Sequence, residues 1–286
     1  MSIEHYENFP VASVLLPRRL RRPVTDIYRF ARSADDIADE GDLSAAERLE
    51  LLAQFEAGIE QLQYHQPVLA DTPHSAIFVP LASSISNFQL PLKPFLDLLS
   101  AFRQDVTTHR YSDMAQVLDY CTRSANPVGR LMLHLYQAHS PELVEMADST
   151  CTGLQLVNFW QDVALDWHKN RVYIPQDLLA QYDLDDDYIQ ARTQLLRQPE
   201  ADARWQEMMQ LLVTDARQRL QAGLLLSSHL PGRISLELKM MVLGGLRILE
   251  RLEAVKFDVF SHRPTLSRLD WLRLIARGLS RTSYRS

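Results

Sequence analysis

Apolar residues recur along this chain at spacings of three and four, and no series alternates at a period of two. The pattern predicts helices over 24–40, 44–63, 75–88, 94–105, 113–139, 201–229 and 236–256, with a further helical face inside 155–175. The first begins behind Pro23, a residue suited to a first turn, and stops before Gly41. The second opens on a capping box of Ser44 and Glu47 and carries Leu49, Leu52, Phe55, Ile59 and Leu62 as one stripe. Residues 64–75 hold two prolines and read as a break. Beyond it, Phe78, Leu81, Ile85 and Phe88 suit either a core or a pocket for a lipid chain. Pro127 and Gly129 fall inside the helical pattern of 113–139, where they cost about 3 and 1 kcal/mol relative to Ala, so a kink with freed carbonyls is expected there. Residues 228–235 read as a turn, and Gly244 with Gly245 as a place of close packing. Without a strand series or an internal repeat, the expected fold class is all-α.

Two of these helices carry polar residues where the period gives no structural reason for them. In 28–40, Tyr28, Arg32, Asp35, Asp36 and Asp39 fall on or near one face. Carboxylates one turn apart repel, so such a stripe is either solvated or faces a cation. In 155–175, Gln155, Asn158, Asp162 and Asp166 share a face while Leu154, Leu156, Val157, Phe159, Trp160, Val163, Ala164 and Leu165 surround it. A helix apolar on most sides is expected to be buried, and an unpaired buried carboxylate costs several kcal/mol. Protonation, ion pairing and metal binding are the three escapes. Oxygen donors with no Cys/His cluster nearby suit a hard cation such as Mg²⁺ carrying a phosphate-bearing ligand.

Composition narrows the remainder. The 286 residues suffice for one large core or two modest domains, and 46% apolar with 23% charged residues is ordinary for a soluble globular protein. A formal net charge of −6 argues against a nucleic-acid partner. Cys121 and Cys151 lie in apolar helical patterns, which fits reduced thiols in a cytoplasmic location. The N-terminus lacks the basic and apolar regions of a signal peptide, and no run is long enough to span a membrane. Arg18, Arg19, Arg21 and Arg22 form the densest basic run, either a solvated cluster or an attractor of diphosphate or anionic lipid. At the other end, Leu269, Leu272, Ile275 and Leu279 oppose Arg268, Arg273, Arg277 and Arg281, a basic amphipathic helix that packs on the protein body or lies on the inner face of a membrane. The acidic run Asp183, Asp185, Asp186 and Asp187 lacks an apolar setting and reads as a solvated helix start.

DDIAD at 35–39, NFWQDVALD at 158–166 and NRVYIP at 170–175 resemble the squalene/phytoene synthase family, as do HYENFPVASVLLP near the N-terminus and YCTRSANPVG at 120–129. The resemblance covers most of the chain, and the set in this order is specific. It implies one domain over 1–286, a helical bundle of the isoprenoid-synthase type around a central hydrophobic cavity, with the two aspartate motifs facing each other at its mouth. It further implies that Asp35, Asp39, Asn158, Asp162 and Asp166 hold Mg²⁺ on an isoprenoid diphosphate, with Asp36 just behind them. Arg32, Gln155, Arg171 and Tyr173 would contact the diphosphate or orient its ligands, and Tyr28 and Tyr120 would lie near a developing carbocation.

Within the family, ENFPVASVLLP, SANPVG and the glutamine before the second motif resemble the branch that ionises presqualene diphosphate and quenches the cation with water, in bacterial hopanoid synthesis. Most family members have Arg where Gln161 stands, many have Glu at Leu165, and most have Gly at Asn126. Losing one cation and one anion suggests a site for a single diphosphate. Asn126 and Gln161 are candidates for positioning water; Asn126 equally suits satisfying a kinked backbone. The alternatives are a synthase condensing two farnesyl diphosphates and a non-catalytic lipid-binding or assembly protein. No Gly-rich nucleotide fingerprint is present, so no nicotinamide cofactor is expected. A transient partner that supplies presqualene diphosphate is compatible with this reading.

Overall fold

The computed structural model describes residues 16–63, 74–267, 269, 270 and 274. The prolines of the 64–75 break, most of the N-terminal family motif and most of the basic C-terminal stretch lie outside them. Every named element is a helix, and the described residues hold one isolated bridge, between Arg110 and Val172, but no strand. The all-α expectation is met. The described residues form two compact units, one drawn from 1–108 and 120–148 and the other from 109–119 and 149–286.

The first unit contains α1 (Arg18–Asp39), α2 (Ala45–Gln63), α3 (Ser75–Phe88), α4 (Lys93–Thr107) and α6 (Asn126–Leu135). Its core is aromatic: Phe30 meets Phe95 and Phe78 edge-on at 5.4 and 6.0 Å, and Phe55 meets Phe78 at 5.3 Å. Such pairs add about 0.5–1.5 kcal/mol each beyond the area they bury. The α2 stripe is confirmed at Leu52, Phe55 and Ile59, all fully buried. Its capping box is present: the Ser44 N–H and hydroxyl donate to Glu47 Oε2 at 2.8 and 2.6 Å, and the Glu47 N–H donates to Ser44 Oγ at 3.4 Å. Between α1 and α3 the Ser84 hydroxyl donates to the buried Asp26 carboxylate at 2.6 Å.

Two boundaries differ from the sequence reading here. Helix α1 begins at Arg18, with Pro23 inside it, because that register buries Leu20 and Val24 completely on the side of Ile27 and Phe30. Burial of apolar surface outweighs the backbone donor that Pro23 lacks. The expected helix over 113–139 is two helices, α5 (Met114–Ser124) and α6, divided at Ala125 (φ −115°, ψ −48°). The division puts Pro127 in the first turn of α6, where a missing N–H costs nothing.

The second unit contains α8 (Val163–His168), α9 (Gln176–Gln181), α10 (Asp186–Thr193), α11 (Pro199–His229) and α12 (Gly232–Ala254); α5 and α7 (Pro141–Gln161) contribute residues to both units. α12 starts at Gly232, inside the expected turn, so the break shrinks to Leu230 and Pro231. α11 and α12 form an antiparallel pair whose approach depends on glycine. A Cβ on Gly223 would lie 2.6 Å from Val242 Cγ2 and 2.8 Å from Thr150 Cγ2, and one on Gly245 would lie 3.0 Å from Leu154 Cδ2. Close packing at Gly245 was legible; Gly244 has more room, 3.6 Å to Leu266.

Buried Arg192 holds Asp202 at 3.1 Å and Asp258 at 3.0 Å, with its guanidinium over the Phe260 ring. Tyr188 donates to Asp202 at 2.9 Å, and burial holds its hydroxyl protonated well above the usual range. The acidic run at 183–187 is a helix start, as read: Asp185 caps α10 by accepting the Tyr188 N–H at 3.0 Å. It is less solvated than expected, since Asp186 is half-buried against Arg110 at 2.8 Å.

Candidate functional site

Residues of the first aspartate motif occupy the half-buried side of α1, opposite Ile27, Phe30, Ala34 and Ala38. Arg32, one turn before the acids, donates through Nη1 to Asp35 Oδ2 at 2.8 Å and pairs through Nη2 with Asp36. Part of the expected repulsion is thus offset within the helix itself. Pairs of this spacing and exposure are worth only about 0.3–0.5 kcal/mol, so the carboxylates are held yet readily released. Asp39 and Tyr28 are half-buried on the same helix.

In the same unit, Tyr120 is buried and its hydroxyl donates to the buried Asp105 carboxylate at 2.8 Å. Asn126, also buried, is the first residue of α6 and directly precedes Pro127.

The second motif is built differently. α7 ends at Gln161, and Asp162 (φ −106°, ψ 11°) divides it from α8. These angles lie in the bridge region, where functional residues are often found. Backbone bonds nevertheless carry the helical run across the break: Asp162 N–H to the Asn158 carbonyl at 2.9 Å, and Asp166 N–H to the Asp162 carbonyl at 2.8 Å. Leu156, Val157, Phe159, Trp160 and Val163 are buried, as a helix apolar on most sides requires. Leu165 departs from that expectation and is 52% exposed. Gln155, Asn158, Asp162 and Asp166 are half-buried.

A connection follows that returns the chain to the motif. The Arg171 N–H donates to the Asp166 carbonyl at 2.8 Å and the Val172 N–H to the His109 carbonyl at 2.9 Å, with Asn170 in the left-handed region at φ +59°. Arg110 fastens this turn. Its guanidinium donates to the Asn170 carbonyl at 2.6 Å and to Asp186 at 2.8 Å, and lies 5.5 Å over the Trp167 ring. His109 is pushed below the usual histidine range by burial and by the charges of Arg171 and Arg110. Tyr173 is buried, stacked on Phe159 at 3.8 Å and on Tyr111 at 5.5 Å, so its ring orientation is fixed by aromatic packing.

Two residues at the α7–α8 break make contacts that no local spacing predicts. Gln161, 1% exposed, donates its side-chain amide to the Pro264 carbonyl at 2.6 Å. Asp162 accepts both Nε and Nη2 of Arg263, the latter at 3.1 Å. Arg263, His109, Arg110 and Asp105 were not singled out from the sequence. The two arginines and the histidine sit outside the motifs, and Asp105 falls within an ordinary amphipathic helix.

Within each unit, among the described residues, no three His, Cys, Asp or Glu side chains converge as a ready metal cage. The donors present are carboxylates and amides, with Asp35 and Asp36 engaged by Arg32 and Asp162 by Arg263. Such a set fits Mg²⁺, which takes one or two carboxylates, retains waters and binds together with phosphate oxygens.

The family model for squalene/phytoene synthase matches residues 3–270. The hydroxysqualene synthase of Sinorhizobium fredii is 40% identical over 175 residues, 61% of this chain and 56% of that protein. That of Zymomonas mobilis is 37% identical over 174 residues, 60% of this chain and 56% of that protein. The matches thus span a little over half the length of those curated relatives. The phytoene synthase of Arthrospira platensis is 26% identical over 96% of this chain and 89% of that protein. Among solved structures, squalene synthase HpnC from Alicyclobacillus acidocaldarius superposes with a TM-score of 0.77 at 32% identity, covering 88% of this chain and 90% of that one. With the two aspartate motifs, the connection after the second and a family match over nearly the whole length, the chain belongs to the squalene/phytoene synthase family.

Proposed function

We propose that this protein is a hydroxysqualene synthase. It ionises presqualene diphosphate, releases diphosphate, lets the carbocation rearrange and captures it with water, giving hydroxysqualene and a proton. The observation that carries the reading is the 37–40% identity to hydroxysqualene synthases together with two complete aspartate motifs. A non-catalytic lipid-binding or assembly protein would have no use for both.

In this reading both motifs serve one diphosphate. Asp35, Asp39, Asn158, Asp162 and Asp166 hold Mg²⁺, supported from behind by Asp36. Bound there, Mg²⁺ supplies Lewis-acid stabilisation of charge on the leaving diphosphate. Arg32, Gln155, Arg171 and Tyr173 orient or contact the diphosphate oxygens, and guanidinium groups suit that task through paired donors. Tyr28 and Tyr120 offer aromatic faces to the cation. Asn126 and Gln161 are the two candidates for placing water, and Gln161 gives its side-chain amide to the Pro264 carbonyl. Ionisation and water addition transfer no hydride, so no nicotinamide cofactor is required. Because substrate and product partition into lipid, peripheral contact through the basic C-terminal stretch is part of the proposal. So is a transient encounter with the enzyme that makes presqualene diphosphate. No described helix is long and apolar enough to cross a membrane.

A second reading is supported by the squalene synthase among the solved structures: condensation of two farnesyl diphosphates. Incubation of the purified protein and Mg²⁺ with each substrate separates the two. Hydroxysqualene from presqualene diphosphate, with farnesyl diphosphate untouched, is the expected result. Consumption of farnesyl diphosphate supports condensation instead, and turnover of neither revives the binding-protein alternative.

A further inference from the structure

After α12 and its closing turn, residues 262–267 run without regular structure, yet they are fastened at three places within the second unit. At the near end, Ser261 donates its N–H and hydroxyl to Asp258 at 3.2 and 2.8 Å, and Asp258 is held by buried Arg192. In the middle, Gln161 grips the Pro264 carbonyl. At the far end, the Ser267 N–H and hydroxyl donate to Asp270 at 2.7 and 2.6 Å, and Asp270 in turn binds Arg247 at 2.7 Å and Arg251. Asp270 is 1% exposed, so this anchor is a buried ion cluster rather than a surface tie. The strap thereby brings two consecutive residues, Arg263 and Pro264, to two consecutive residues of the motif, Asp162 and Gln161.

The strap is more heavily fastened than a loop that only joins two elements requires, and what it presents is a guanidinium. That group lies across both oxygens of one carboxylate, and its side chain is 35% exposed. A partly exposed pair is weak, and a divalent cation competes for the same oxygens. Once displaced, the guanidinium stays within a side chain's length of the site because its backbone is fixed. Its planar fork of donors then matches phosphate oxygens.

Resting on the reading of Asp162 as a Mg²⁺ ligand, we propose that Arg263 is a diphosphate-binding residue, parked on Asp162 until a divalent cation takes that carboxylate. It has two tasks: neutralising the motif in the absence of metal, and meeting the diphosphate in its presence. The two tasks predict opposite effects of one substitution. Arg263→Gln removes the competitor, so Mn²⁺ alone, followed by electron paramagnetic resonance as a stand-in for Mg²⁺, binds severalfold tighter than to the unsubstituted protein. Inorganic pyrophosphate with Mg²⁺, followed by calorimetry, binds about tenfold to a hundredfold weaker, the loss expected for a charged hydrogen-bonding pair. Arg263→Lys recovers part of the pyrophosphate affinity, and a thermal melt of each variant confirms that it is folded. Unchanged pyrophosphate affinity in folded Arg263→Gln overturns the proposal, as does weaker Mn²⁺ binding. If the unsubstituted protein binds neither probe, or Asp162→Asn leaves both affinities intact, the metal-site reading itself is wrong. Those results separate the failure of the reading from the failure of the inference.

Discussion

Replacing Gln161 decides whether that residue serves the chemistry or the architecture. Its side chain is almost wholly buried and spends its amide on the Pro264 carbonyl at 2.6 Å. Gln161→Leu keeps the approximate size and deletes the donor, leaving a buried carbonyl unsatisfied. That loss costs about 1–3 kcal/mol, and since 1 kcal/mol moves the melting temperature of a chain this size by roughly 2–4 °C, Tm should fall by about 2–12 °C. Gln161→Glu should be worse, because it sets a carboxylate against the carbonyl and buries a charge. Thermal unfolding followed by circular dichroism gives the shift, and product analysis with presqualene diphosphate gives the chemistry. A residue that tethers the strap lowers Tm and slows turnover without changing which product forms. The reasoning is refuted if Gln161→Leu keeps the Tm of the unsubstituted protein to within about 1 °C while the hydroxylated product gives way to others.

Three further predictions follow from packing and charge. Gly223→Ala places a methyl 2.6 Å from Val242 Cγ2. It should cost about 1–3 kcal/mol from overpacking, set against a helix-propensity gain of about 1 kcal/mol, and Val242→Ala in the same chain should recover only part of it in denaturant titration, because Thr150 Cγ2 and Oγ1 lie 2.8 Å from the same methyl. Tyr120→Phe takes a donor from the buried Asp105 carboxylate and should lower stability by about 1.5–3 kcal/mol; an unchanged denaturation midpoint would show that this bond is not made in solution. His109 has a folded pKa below its ordinary value of 6.5, so below that pH the unfolded chain binds more protons than the folded one. Its contribution to stability is therefore present in full above about pH 6.5 and is lost as pH falls through the lower folded value. The slope of stability against pH in that window should be shallower in His109→Gln.

How much could be read in advance divides along the range of the interactions. The α2 capping box, the stop at Gly41 and the stripe of Leu52, Phe55 and Ile59 are local events within a few residues, and the sequence states them. The start of α1 could not be read from Pro23, because completely buried Leu20 and Val24 pull the helix past a proline that local rules place at its beginning. Pro127 gave the right signal with the wrong form: the helix divides rather than bends, since division moves the proline to a position that needs no donor. At the candidate site, the two aspartate stripes were visible as periodicity that serves no packing purpose. The arginines that complete them were unequally visible. Arg32 lies one turn from its acids, whereas Arg263 reaches Asp162 from the far side of α11 and α12. No pattern over a few residues encodes that pairing, since it depends on where the strap is fastened.

Capture of the carbocation by water is the central chemical claim, and isotope labelling tests it most directly. Presqualene diphosphate is turned over by the purified protein with Mg²⁺ in water enriched in oxygen-18, and the extracted product is examined by mass spectrometry. The account predicts hydroxysqualene carrying one oxygen-18 in its hydroxyl group. An unlabelled alcohol, or a hydrocarbon with no oxygen at all, would contradict it.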